Sequence, residues 1–95
     1  MTEAELQSAI LEVARWNGWK VYHTHNSRRS QPGFPDLILI RDGTMLAWEL
    51  KSDTGRVTAE QWDWIHAFAG VTEVGSQVIY PDDYDDAINL LSARH

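Results

Sequence analysis

Asp42-Gly43, set between two apolar runs, constrains this chain more than any other feature. Asp-Gly is the strongest short-range signal for a two-residue hairpin, because a type I′ turn needs positive φ at both central positions. Ile38 to Ile40 on one side and Met45 to Leu50 on the other supply the β-branched and apolar residues of two strands. If Asp42 and Gly43 are the turn, Arg41 pairs with Thr44, and every pair of opposed residue numbers sums to 85. Asp36 then lies opposite Glu49. Opposed residues share a face, with Cβ atoms about 4.5–5.5 Å apart. Lys51, two residues beyond Glu49, shares it too.

Two carboxylates at that separation repel, and burying either is costly. A divalent cation removes the conflict. Mg²⁺ takes oxygen ligands, commonly one or two carboxylates with waters and phosphate oxygens. A neighbouring lysine can then act on an attacking water or stabilise charge at phosphorus. The plain alternative is an ion-paired sheet end, with Lys51 bridging the two acids and no chemistry.

Ninety-five residues read as one domain, 1–95. With 43 % apolar residues the chain can form a core rather than remain disordered. It has no cysteine, so disulfides and thiolate metal sites are excluded. No apolar run approaches the ~20 residues of a membrane span, and the N-terminus lacks a signal-peptide pattern. The expectation is a cytoplasmic protein with no membrane partner. A net charge of −6 argues against nucleic acid at first sight. Its distribution softens the objection. Residues 15–58 carry seven basic and four acidic side chains, and the acidic excess lies outside them.

Thr2-x-x-Glu5 is a capping box that opens the first helix. Leu6, Ile10, Val13 and Ala14 form its apolar stripe, and helical spacing puts Glu3 on the same face. Glu3 is either a first-turn acid favoured by the helix dipole or a carboxylate in need of a partner. Gly18 ends the helix. Trp19 to His25 reads as a strand with His23 and His25 on one face; a zinc pair there would need further ligands. Asn26 to Gly33 is a polar loop whose Arg28 and Arg29 lead toward Asp36 and can contact a phosphate backbone. The hairpin has Asp36, Ile38, Ile40, Ala47, Glu49 and Lys51 on one face, and Leu37, Leu39, Leu46, Trp48 and Leu50 on the other. Both faces are largely apolar, so helices should cover both. The first helix, with Glu3, is expected over the Asp36 face and a second helix over the other.

After a loop containing Gly55 and Arg56, Thr58-x-x-Gln61 is another capping box. Gln61 heads a stripe of Trp64, Ile65 and Phe68 near the end that follows Lys51, and the cap by itself can account for its amide. Trp62 flanks that stripe, with packing, base stacking and a dimer contact all open to it. Ser76 to Tyr80 forms a last strand, Pro81 breaks it, and Asp82 caps a helix through about Ala93. The order is αβββαβα.

Pro35-Asp36, twelve residues, then Glu49-Leu50-Lys51 resembles the PD-(D/E)xK nuclease superfamily. The fuller pattern adds Glu3, Gly18, Asn26-Ser27-Arg28-Arg29, Gly33-Phe34, Gly55-Arg56-Val57-Thr58 and Gln61, and resembles its VRR-NUC branch. The resemblance implies an α/β, restriction-endonuclease-like αβββαβ core with a mixed central sheet flanked by helices, here with one C-terminal helix added. It implies Mg²⁺- or Mn²⁺-dependent hydrolysis of DNA phosphodiesters to 5′-phosphates. Asp36, Glu49, Lys51 and Gln61 would be catalytic. Asp36, Glu49, the Leu50 carbonyl and Glu3 would hold the metal. Asn26, Ser27, Arg28, Arg29 and Arg56 would contact DNA. Branched or flapped DNA, Holliday-junction resolution, a homodimer and a bacterial or phage-infected cell are the expected setting. The rival reading is a non-catalytic nucleic-acid-binding module on the same fold.

Overall fold

The turn forms as the dipeptide requires, with Asp42 at φ 50° and Gly43 at φ 81°. The computed structural model describes residues 1–24, 31–71 and 74–93. In chain order these form α1 (Glu3–Trp16), β1 (Lys20–His23), β2 (Leu37–Arg41), β3 (Thr44–Leu50), α2 (Ala59–Ala69), β4 (Val74–Ile79) and α3 (Tyr84–Ser92). The sheet order is β1-β2-β3-β4. β2 pairs antiparallel with β1 and with β3, and β4 runs parallel to β3. The sheet is therefore mixed, as expected. Arg41 opposes Thr44 and Leu37 opposes Trp48, which is the register derived from the turn. Among the described residues, no helix is long and apolar enough to cross a membrane.

Both capping boxes close. The Thr2 hydroxyl accepts from the Glu5 amide while the Glu5 carboxylate accepts from the Thr2 amide. Thr58 and Gln61 repeat the exchange at α2. Gly18, at φ 78°, follows α1 in the left-handed conformation that a side chain disfavours. The entry to α3 differs from expectation. Pro81–Asp83 makes a 3-10 turn, and Asp83 rather than Asp82 accepts a hydrogen bond, from the Tyr80 amide. Proline fixes the φ that starts such a turn.

The helices cover the faces opposite to those expected. Leu6, Ile10, Leu11 and Ala14 of α1 and Ala87 and Leu91 of α3 share one core with Leu37, Leu39, Leu46, Trp48 and Leu50. That face carries the large side chains, so most apolar area is removed from water there. α2 lies on the Asp36 face, where Ile65 is buried and its carbonyl accepts from the Ser76 hydroxyl. As the crossover between parallel β3 and β4, α2 has its side of the sheet set by connection handedness.

Arg41 locks the far end of this core. Its guanidinium lies over the Trp19 ring, 4.5 Å from the centroid, and donates to the carbonyls of Asn17, Leu91 and Ala93. Trp19 also donates its indole N–H to Leu91 O at 2.9 Å. One basic residue of the central segment is therefore committed to holding α3. A lysine cannot reproduce a planar fork that bonds and stacks at once. Arg41→Lys should lower unfolding stability by roughly 2–3 kcal/mol, read from the urea midpoint. A midpoint equal to wild type would contradict this role.

Candidate functional site

Asp36 precedes β2 by one residue, and the hairpin register carries it opposite Glu49. Its backbone is tied to the end of β1, with the Thr24 amide donating to Asp36 O at 3.0 Å. Its carboxylate accepts from the Leu50 amide at 2.9 Å. Glu49 is nearly inaccessible at 2 % exposure. Its Oε2 accepts from Gln61 Nε2 at 3.2 Å and lies 3.7 Å from Lys51 Nζ. Lys51 is itself buried, its amide donating to Ile79 O across the sheet.

Gln61 resolves what the sequence left as alternatives. Its Oε1 accepts from the Thr58 amide and its Nε2 donates to Glu49. An amide carries both an acceptor and a donor, so one side chain caps α2 and steadies the acid.

A cavity of about 460 Å³ opens at this end of the sheet, lined by Glu3, Thr24, Gly33, Asp36, Glu49 and Gln61 among others. Glu3 reaches it from the first turn of α1, which overhangs the sheet end rather than covering the Asp36 face. The electrostatics record crowded acids. Burial pushes the Glu49 carboxyl up to about 9, with Asp36 adding a hydrogen bond and its charge; Lys51 opposes the shift and Glu3 adds to it. Burial also raises the Glu3 carboxyl, Asp36 adds repulsion, and Lys51 opposes. Such a site favours a proton or a cation between its acids.

The connection 31–35 braces α2. Trp64 donates its indole N–H to Pro32 O at 3.1 Å, and Phe34 packs edge-on against Trp64 at 5.0 Å and Phe68 at 5.9 Å. Gly33, at φ 85°, passes the first turn of α2 so closely that a Cβ would lie under 3.0 Å from Glu60 and Gln61 backbone atoms. Gly33→Ala should therefore shift α2 and break the Gln61–Glu49 bond, at a stability cost of about 1–3 kcal/mol. Unchanged thermal unfolding would contradict that account.

This cavity and fold can be set against known proteins. The VRR-NUC domain model matches residues 1–80. The chain belongs to the VRR-NUC family. A solved VRR_NUC domain protein is similar at a TM-score of 0.67 and 22 % identity, over 96 % of this chain and 85 % of that one. That likeness shows the fold. No curated protein matches the chain. VRR-NUC domains are of nuclease type, which makes DNA the substrate class to consider.

Of the residues singled out from the sequence, Glu3, Asp36, Glu49 and Gln61 meet at the VRR-NUC cavity, and Lys51 stands beside Glu49. Leu50 takes part through its backbone N–H, which donates a hydrogen bond to the Asp36 carboxylate. Arg56 is exposed in the loop after β3 and is not among the cavity-lining residues. Asn26, Ser27, Arg28, Arg29 and His25 lie outside the described residues. His23 opposes Leu37, on the face away from Asp36. Among the described residues, no three His, Cys, Asp or Glu side chains form a ready-made metal cage. Trp62 is 43 % exposed and stacks on His66, their ring centroids 5.4 Å apart. Thr24 and Gly33 were not assigned to the site from sequence. Thr24 follows from the β1 register, and Gly33 carries its signal in the invitation to positive φ just before Phe34-Pro35-Asp36.

Proposed function

We propose that this VRR-NUC chain is a Mg²⁺- or Mn²⁺-dependent endonuclease that hydrolyses phosphodiesters in branched DNA, with Holliday junctions as the leading substrate. The observation that carries the reading is the pairing of Asp36 with Glu49 at the cavity wall, with Gln61 donating to Glu49 Oε2 and Lys51 Nζ 3.7 Å from the same oxygen. The donor set fits a hard ion: it is all oxygen and short of positive charge. Asp36, Glu49 and the Leu50 carbonyl would hold the metal, with Glu3 assisting. When bound, the metal would polarise the scissile phosphate and acidify water.

The chain's own groups do the rest. The Leu50 amide fixes the Asp36 carboxylate, and Gln61, itself fixed by Thr58, holds Glu49. Lys51 would orient the attacking water and stabilise the charge gathering on phosphorus, while the water's proton passes to solvent and the leaving 3′-oxygen takes one from solvent. The water oxygen bonds to phosphorus as the bond to the 3′-oxygen breaks, which leaves a 5′-phosphate. Arg56, with Asn26, Ser27, Arg28 and Arg29, would contact the backbone of the DNA.

A junction needs two symmetric cuts, and a two-fold homodimer supplies them. The test is cleavage of labelled four-way junction, flap, duplex and single-stranded DNA with Mg²⁺, Mn²⁺ or EDTA. Paired metal-dependent nicks in the junction, with a dimer in sedimentation, are the expected result. Cleavage of flaps by a monomer would remove junction resolution and keep the nuclease. The rival is a non-catalytic DNA-binding module that keeps the fold, and the intact Asp36, Glu49 and Lys51 speak against it. Binding without cleavage under every metal condition would decide for it.

A further inference from the structure

Among the described residues, the sheet face that carries Asp36 and Glu49 is thinly covered over β1 and β2. Ala47 on β3, on the side where α2 packs, is fully buried. Across β2 and β1 the cover thins. Ile38 is partly exposed, Ile40 is 45 % exposed and Tyr22 is 58 % exposed. The register puts these on one face: Tyr22 opposes Ile38, Lys20 opposes Ile40, and Ile38 is two residues from Asp36. α1 and α3 lie against the other face and cannot cover the strip.

The strip begins at the cavity wall. Thr24 lines the cavity and bonds to Asp36 O, and Tyr22 is two residues back along β1, about 7 Å away. That is roughly two nucleotide steps of a stacked strand at ~3.4 Å each. Exposed Lys20 follows Tyr22 on the same face, and no acid stands on this face of β1 or β2 beyond Asp36. An exposed ring flanked by apolar side chains, with a cation at its far end and a phosphate-directed cavity at its near end, has the composition of a single-strand binding track.

We propose that Tyr22, with Ile38 and Ile40 beside it, is a stacking platform for an unpaired nucleobase near the scissile phosphate, and that Lys20 meets the adjoining phosphate. This rests on the nuclease reading above and deepens it. A continuous duplex keeps its base faces stacked internally, so the platform selects DNA with unpaired nucleotides beside the cut: flaps, gaps and open branch points. Tyr22 binds and positions; it touches no reacting atom.

The experiment compares wild type, Tyr22→Ala and Tyr22→Phe. The probes are 2-aminopurine-labelled single-stranded, flap and duplex oligonucleotides in EDTA, with thermal melts as the folding control. Wild type and Tyr22→Phe should quench the 2-aminopurine of single strands and flaps. Tyr22→Ala should lose the quench and bind those probes about five- to a hundredfold more weakly, with little change on duplex. In Mg²⁺ the same variant should show a raised KM and a retained kcat. Equal binding of all probes by Tyr22→Ala and wild type would overturn the platform, as would an equal loss on duplex and single strand. The two readings fail separately. Tyr22-dependent quenching without cleavage by wild type would refute the nuclease and leave the platform standing. Cleavage insensitive to Tyr22 would do the reverse.

Discussion

Lys51→Ala should reduce DNA cleavage by about a hundred- to ten-thousandfold while leaving DNA affinity within a few-fold of wild type. Lys51 Nζ is the cationic group beside Glu49, at 3.7 Å from Oε2. Its side chain is almost wholly inside the protein, so it offers little to the backbone of a long DNA ligand. In the proposed mechanism its contribution would belong to the step in which negative charge develops on phosphorus. The loss should therefore fall on kcat, with KM little changed.

The same geometry predicts the effect on metal. Lys51 charge favours the ionised form of Glu49, but it also repels an incoming cation. Removing it frees the acids to bind Mg²⁺ or Mn²⁺ at least as well as before. A Lys51→Ala protein that binds metal normally in calorimetry and still cuts at the wild-type rate would eliminate the proposed mechanism. A protein that neither binds metal nor melts cooperatively would show that Lys51 supports the fold, and Lys51→Gln would then isolate the chemistry.

The hairpin was legible because its turn chemistry is local. Asp42 and Gly43 demand one turn type, and the pairing of Asp36 with Glu49 follows by counting. Both capping boxes were legible for the same reason. The face chosen by α1 was not. The Leu6–Ile10–Ala14 period says which side of the helix is buried, yet nothing local says against which side of the sheet. The deciding facts were the bulk of Leu37, Leu39, Trp48 and Leu50 and the crossover of α2, both non-local. The β1 register was hidden as well, because the eleven residues between Thr24 and Asp36 are too many for a two-residue turn to set the pairing by counting. That is why Thr24 at the cavity and bare Tyr22 beyond it emerge only in three dimensions. Arg41 shows the limit from another side. It reads as one more surface cation, and only the distant arrival of the α3 C-terminus gives its guanidinium three carbonyls to hold.

The second large effect concerns the proton on Glu49. Its folded pKa is pushed up to about 9 from the ordinary carboxyl value of 4.5, chiefly by burial and then by Asp36. The folded state therefore binds a proton that the unfolded chain releases above that value. By linkage, this stabilisation is complete below about 4.5 and is lost as pH rises toward about 9. The sign is opposite to that of a salt-bridged carboxylate. In EDTA, wild-type Tm should fall steadily from mildly acidic to mildly alkaline pH. Glu49→Gln keeps the neutral shape without the titration, so its Tm should be higher at alkaline pH and its slope flatter. A bound metal ion would replace the proton under the proposed function, so apparent Mn²⁺ affinity should climb with pH by up to about tenfold per unit below the folded pKa. Millimolar Mn²⁺ should restore the alkaline Tm of wild type by mass action on the folded state, and should do little for Glu49→Gln. Identical EDTA slopes for the two proteins would show that Glu49 does not hold the proton. Equal Mn²⁺ stabilisation of both would remove Glu49 from the ligand set, and would leave Asp36 and Glu3 as the acids to test next.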